Sequence, residues 1–234
     1  MLQAAVHLKV QDRVRVLDAL AAHQVAQGLV RADDDPEAPD AARLVVCPPR
    51  GGWTTVAPEQ GEAARALAAG LAQRLAAPAL VVGLVDDGAV FYSAYDAQGE
   101  AVDDYHSCPD WERDVGDDDA GDDEVARTRG DPDAVVGLFG LAPGGDAAAL
   151  AAALAGARIE RLRDHDTACD RVAPAAALRA IERAFGLAPL PDAAELWGLG
   201  PATDDDEDGE VGDGDVVRLA WRRPPPPRKR PWSR

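Results

Sequence analysis

Lysine, methionine, cysteine and aromatic residues are all scarce in this chain of 234 residues. Lysine occurs only at Lys9 and Lys229 among 24 basic residues, and the single methionine is Met1. Arginine in place of lysine, with abundant Ala, Gly and Pro, reflects GC-rich bacterial codon usage and carries no mechanism. Aromatics make up 5% of the chain. The core must therefore lean on Leu and Val, with aromatic rings gathered where strands pack. Three cysteines, Cys47, Cys108 and Cys169, exclude a fully paired disulfide framework and point to a reducing cytoplasm. No apolar run approaches the ~20 residues that span a bilayer, which excludes a membrane-spanning helix. The start, MLQAAVHLKV, lacks a basic segment, a long apolar centre and a small-residue cleavage site, so no signal peptide is expected. Basic residues are outnumbered 42 to 24, giving a net charge of −18. That balance excludes nucleic acid as a partner of the body, because phosphate binding needs clustered cations. It favours solubility and cationic partners or metal ions.

What is present is apolar content of 47% and a clear order of elements. Ala4 to Val10 alternates with period two, placing Ala4, Val6, Leu8 and Val10 on one face and turning His7 and Lys9 away, as in a half-buried strand. A helix follows from an N-cap at Asp12, with Val14, Leu17, Leu20 and Ala21 on its inner side. Arg43 to Cys47 and Trp53 to Ala57 read as a hairpin around Pro48-Pro49-Arg50-Gly51-Gly52. A second helix spans Glu59 to Ala77, its Leu67, Leu71 and Leu75 recurring every four residues, and Pro78 stops it. Three strands come next: Ala79 to Val85, Ala89 to Tyr95 and Glu100 to Tyr105. The first turn is Asp86-Asp87-Gly88, a strong hairpin signal.

The expected fold class is α+β: a ferredoxin-like β-α-β-β-α-β sheet over residues 1–111, extended by a β-meander. Residues 112–134 read as an acidic linker. Residues 135–221 form a smaller helical C-terminal part, with helices at Asp146 to Ala155 and Pro174 to Phe185 and an acidic loop at 204–215. Residues 222–234 are a basic, Pro-rich tail with six positive charges and no acid, expected to be extended and to contact the acidic loops or an acidic partner.

VVCPPRGGWTTV (45–56) and FYSAYDAQGEAVDDYHSCPDW (91–111) resemble segments of a bacterial protein family of unknown function. Its members carry a Tyr-x-x-Tyr strand, a Gly turn, and an acidic-aromatic strand closing in a Ser/Cys-Pro-Asp-aromatic turn. The resemblance covers at most the first 111 residues. It implies a shared fold and brings no activity onto these residues.

Two regions carry candidate chemistry. Asp204, Asp206, Asp208, Gly209, Glu210 and Asp215 follow the spacing of a calcium loop, D-x-D-x-D-G. A hard divalent cation wants several oxygens, and the glycine permits the turn that gathers them. Asp215 is shorter than the Glu such loops place there, and Gly198, Gly200 and Pro201 oppose an entering helix. A solvated acidic loop is the plain alternative. Tyr105, His106, Cys108 and Trp111 are the densest set of reactive side chains and the candidate ligand-binding residues. His106 and Cys108, joined by His165 and Cys169, supply ligand types suited to zinc, without the usual half-site spacing. His106 beside Cys108 also suggests a base and a nucleophile. Arg50-Gly51-Gly52 is a weak phosphate cradle because no helix N-terminus follows it. Phe91, Tyr92 and Tyr95 read as core rather than as a stacking platform for RNA.

The expected function is a cytoplasmic bacterial protein that binds another protein or a small ligand without catalysis. The alternative is a metal-dependent enzyme or calcium-binding module using the Asp204–Asp215 loop or the His106/Cys108 region.

Overall fold

The computed structural model describes residues 2–32, 41–85, 88–109, 122–141, 146–158, 173–188 and 216–224. In chain order these form β1 (Leu2–Leu8), α1 (Arg13–Ala26), β2 (Val30–Arg31), β3 (Ala42–Val46) and β4 (Thr54–Pro58). A single 3-10 turn at Gly61–Ala63 leads into α2 (Ala64–Leu75), followed by β5 (Ala79–Val85), β6 (Ala89–Tyr95) and β7 (Ala101–His106). Then come α3 (Asp122–Arg127), α4 (Pro132–Phe139), α5 (Asp146–Ala157), α6 (Pro174–Ala184) and β8 (Val217–Arg222). The class is α+β. The eight strands form one antiparallel sheet in the order β2-β8-β3-β4-β1-β5-β6-β7.

Side chains alternate across a strand, and here both sets are covered. Ala4, Val6 and Leu8 of β1 pack with Val16 and Leu20 of α1 and with Leu67, Leu71 and Leu75 of α2. The opposite face of the sheet, through Leu80, Val82, Tyr92 and Tyr105, packs with α4, α5 and α6. Phe185 sits edge-on to both Tyr92 and Phe139, with ring centroids 5.7 and 5.6 Å apart. Double coverage changes the reading of β1. Ala5 and His7 do not face solvent, being 0% and 1% exposed, because the sheet has a helical layer on each side. His7 Nδ1 lies 3.0 Å from Thr55 Oγ1 on the neighbouring strand β4.

Asp12 caps α1 by accepting from the Arg15 N–H at 3.1 Å. The inner stripe of that helix differs from the expected one: Val14 is 67% exposed, while Val16, Ala19, Leu20 and Gln24 are buried. Val16, Leu20 and Gln24 recur every four residues, so a polar side chain holds the third position of a core stripe. The hairpin between β3 and β4 turns at Gly51 and Gly52, whose φ angles of 59° and 89° are those of a tight primed turn that favours glycine.

Helix α4 arises where the sequence reads as a polar linker running into the C-terminal part. Asp131 accepts from the N–H groups of Asp133 and Ala134, Pro132 sits in the first turn, and Val135 and Phe139 are buried. A cap, a permitted proline and two buried anchors suffice for a short helix docked on a sheet. Strand β8 inserts between β2 and β3, pairing Leu219 with Leu44 and Trp221 with Ala42 and Arg31. Phe91, Tyr92 and Tyr95 are all buried, so they are core. Among the described residues no helix is long and apolar enough to cross a membrane.

Candidate functional site

Strand β7 carries Tyr105 and His106 to opposite faces of the sheet. Tyr105 is buried against Tyr92, ring centroids 5.7 Å apart, and its hydroxyl donates to the Leu154 carbonyl at 2.9 Å. Burial pushes both phenols up, Tyr92 further because Asp103 is beside it. The Tyr92 hydroxyl donates to Asp103 Oδ2 at 2.5 Å, and the Asp131 N–H donates to the same oxygen at 2.9 Å. Burial raises the Asp103 carboxyl above its usual range, against the lowering effect of these two bonds.

His106, on the other face, stacks on Phe91 with centroids 6.3 Å apart. Its Nδ1 accepts the Cys108 backbone N–H at 3.2 Å, which fixes the ring proton on Nε2 when the imidazole is neutral. Burial, with help from Arg65 and Arg158, lowers its pKa to about 4. Arg158 donates to the carbonyls of His106, Thr128 and Val125, tying the end of α3 to the end of β7. Tyr105 therefore belongs to one core and His106 with Cys108 to the other. His106 Nδ1 is committed to a backbone N–H, and both His106 and Cys108 are buried. The set expected to act together is divided by the sheet. Trp111, His165, Cys169 and the loop residues Asp204, Asp206, Asp208, Glu210 and Asp215 lie outside the described residues. Among those described, no group of three or more His, Cys, Asp or Glu is placed to hold a metal ion.

A cavity opens elsewhere. Residues of α1, α2, β3 and the end of β4 line a cleft of about 280 Å³. Leu44, Pro58 and Leu67 supply its buried apolar lining, and the exposed side chains of Gln27 and Gln60 stand at its rim. Gln24 lines it from the core stripe of α1 and is only 8% exposed. Its side-chain amide makes no hydrogen bond among the described residues and is not one of the fully buried unpartnered groups, so its polar end meets solvent in the cleft. Arg43, also in the lining, is engaged by a bidentate contact with the Glu59 carboxylate. His23 forms part of the wall, and burial together with the nearby Arg74 lowers its pKa. At neutral pH its imidazole is uncharged.

No protein-family model, curated protein or solved structure matches the chain. The geometry of the cleft is thus its own witness. Its described lining offers carboxamides, a neutral imidazole, a neutralised ion pair and aliphatic surface. Such a set binds through hydrogen bonds and contact area and holds no nucleophile beside a base. The sequence contained one signal for it: glutamine at the third place of the Val16-Leu20-Gln24 stripe. Placing Val14 on the inner side hid that signal, because it shifted the buried stripe around the helix.

Proposed function

We propose that the protein is a binding module without catalytic activity, and that its ligand is a small molecule held in the cleft between α1, α2 and β3. The observation that carries this reading is Gln24, a mostly buried side chain without a protein hydrogen-bond partner among the described residues, lining a cavity of about 280 Å³. A bound ligand's polar group would take the place of the solvent that this amide now meets. Three single-ring probes (toluene, benzamide and benzoate) at millimolar concentration test it, with the methyl signals of Leu44 and Leu67 followed by NMR. At least one probe should shift both residues, and Ala66→Trp, at an exposed position lining the cleft, should abolish the shift. Silence from all three probes would remove the reading.

The ferredoxin-like reading of residues 1–111, extended by a β-meander, belongs with this proposal. The order β3-β4-β1-β5 with antiparallel neighbours supports it, as do α1 leading from β1 towards β3 and α2 joining β4 to β5. Strands β2 and β8 beyond β3 are additions to that plan. A cytoplasmic location rests on the odd number of cysteines. A calcium-binding second reading rests on the D-x-D-x-D-G spacing at Asp204. Calcium titration followed by tryptophan fluorescence and melting discriminates it, since no change at millimolar calcium would remove it.

A further inference from the structure

The cleft's chemistry narrows what it would hold, an inference that rests on the binding-module reading above. We propose that the cleft takes an uncharged, planar molecule bearing an amide or an amide-like edge, such as a carboxamide, a lactam or the edge of a nucleobase, with Gln24 as its reading residue. Size sets the first limit. A dry cavity of roughly 150 Å³ holds a benzene ring, so about 280 Å³ accommodates one ring with a polar substituent or a compact bicycle. The facing apolar side chains of Leu44 and Leu67 favour a flat body between sheet and helix.

Charge sets the second limit. An anion would need a cation, and the Arg43 guanidinium in the lining is already engaged by Glu59. The chain's net charge of −18 further disfavours an anion's approach. A cation would need a carboxylate, and among the described residues the lining contains none, the Glu59 carboxylate nearby being held in the same ion pair. A charged ligand would thus be desolvated without a dedicated partner, which is costly.

Hydrogen-bond arithmetic sets the third. A side-chain amide presents an acceptor and a pair of donors next to one another. Its complement is a group with a donor and an acceptor in the same relation, and a glutamine reads an adenine edge in this way. Gln24 sits on the last turn of α1, whose stripe packs into the sheet, so its backbone position is set before a ligand arrives. Gln27 and Gln60 at the rim add adaptable donors and acceptors at the mouth.

Affinities of the full chain for benzamide, benzoate and toluene, measured by NMR titration with and without Gln24→Leu, test this class. The expected result is benzamide binding at least tenfold tighter than either of the other two, with that preference lost in Gln24→Leu and the Leu44 and Leu67 shifts retained for toluene. If toluene or benzoate binds as well as benzamide, or Gln24→Leu leaves the preference intact, the amide class is wrong while the cleft remains a binding site. If no probe binds, the binding-module reading and this inference fall together. Unchanged backbone amide spectra of Gln24→Leu away from the cleft confirm that the variant is folded.

Discussion

The ring of His23 occupies the space that a Cβ on Gly70 would need, so α1 and α2 meet through a glycine at the wall of the cleft. Gly70→Ala has two opposing effects. Alanine gains about 1 kcal/mol of helix propensity over glycine, but the methyl group overlaps His23 Cε1 and Nδ1 and must displace the ring, costing roughly 1–3 kcal/mol. The net effect in the wild type is destabilising. In a His23→Ala background the obstacle is gone, and Gly70→Ala should stabilise by up to about 1 kcal/mol. Urea unfolding of the four proteins measures this reversal of sign.

Asp103 joins three elements through one oxygen, taking the Tyr92 hydroxyl at 2.5 Å and the Asp131 N–H at 2.9 Å. Tyr92→Phe removes one of these bonds and should cost about 1.5–3 kcal/mol, the range for a hydrogen bond to a charged group. Asp103→Ala removes both and also leaves the Tyr92 hydroxyl without its acceptor, so it should cost more. Equilibrium denaturation of the two variants gives the order. Equal losses would mean that the contact at the start of α4 contributes nothing.

His7 provides a pH dependence with a definite sign. Burial holds its pKa at about 3, against 6.5 for the free side chain. The folded pKa is depressed, so between these values the unfolded chain binds the proton and the folded chain does not. Stability from this group is therefore present above about pH 6.5 and is lost as pH falls towards 3. His106, lowered to about 4 by burial and nearby arginines, adds to the same slope. His7→Leu should lose less stability than the wild type between pH 6.5 and 4, as read from melting temperatures across that range.

Ala76 ends α2 with φ 45° and ψ 47°, in the left-handed region. A side chain there costs roughly 1–2 kcal/mol relative to glycine, while glycine also gives its unfolded chain more freedom to lose. The balance favours Ala76→Gly by a few tenths to about 1 kcal/mol. A rise in the urea midpoint at unchanged slope would confirm it.

Local pattern made much of the front half legible. The Asp12 cap, the Leu67-Leu71-Leu75 stripe and the pairing of Val85 with Ala89 all follow from contacts within a few residues, which leave marks in sequence. The placement of β8 leaves none, since Leu219 meets Leu44 only after most of the chain has intervened. The same reason hid the burial of His7: alternation shows that a strand has two faces and says nothing of whether distant helices cover the second. Tyr105 and His106 looked like one site because they are adjacent in sequence, yet adjacency on a strand separates side chains. The cleft was hidden differently. Its polar residue replaces an apolar one in a stripe, and a single substitution in a pattern reads as noise until the cavity beside it is seen.

The most direct test of the account is urea unfolding of the wild type and Gln24→Leu, each with and without benzamide. Leucine extends the Val16-Leu20 stripe with apolar surface at a mostly buried position, so the ligand-free variant should be at least as stable as the wild type. Benzamide at tenfold its wild-type dissociation constant should add roughly 1.4 kcal/mol to the wild type by mass action and no more than about 0.4 kcal/mol to Gln24→Leu, whose affinity is at least tenfold lower. Equal stabilisation of both proteins by benzamide, or a ligand-free Gln24→Leu less stable than the wild type, would contradict the account.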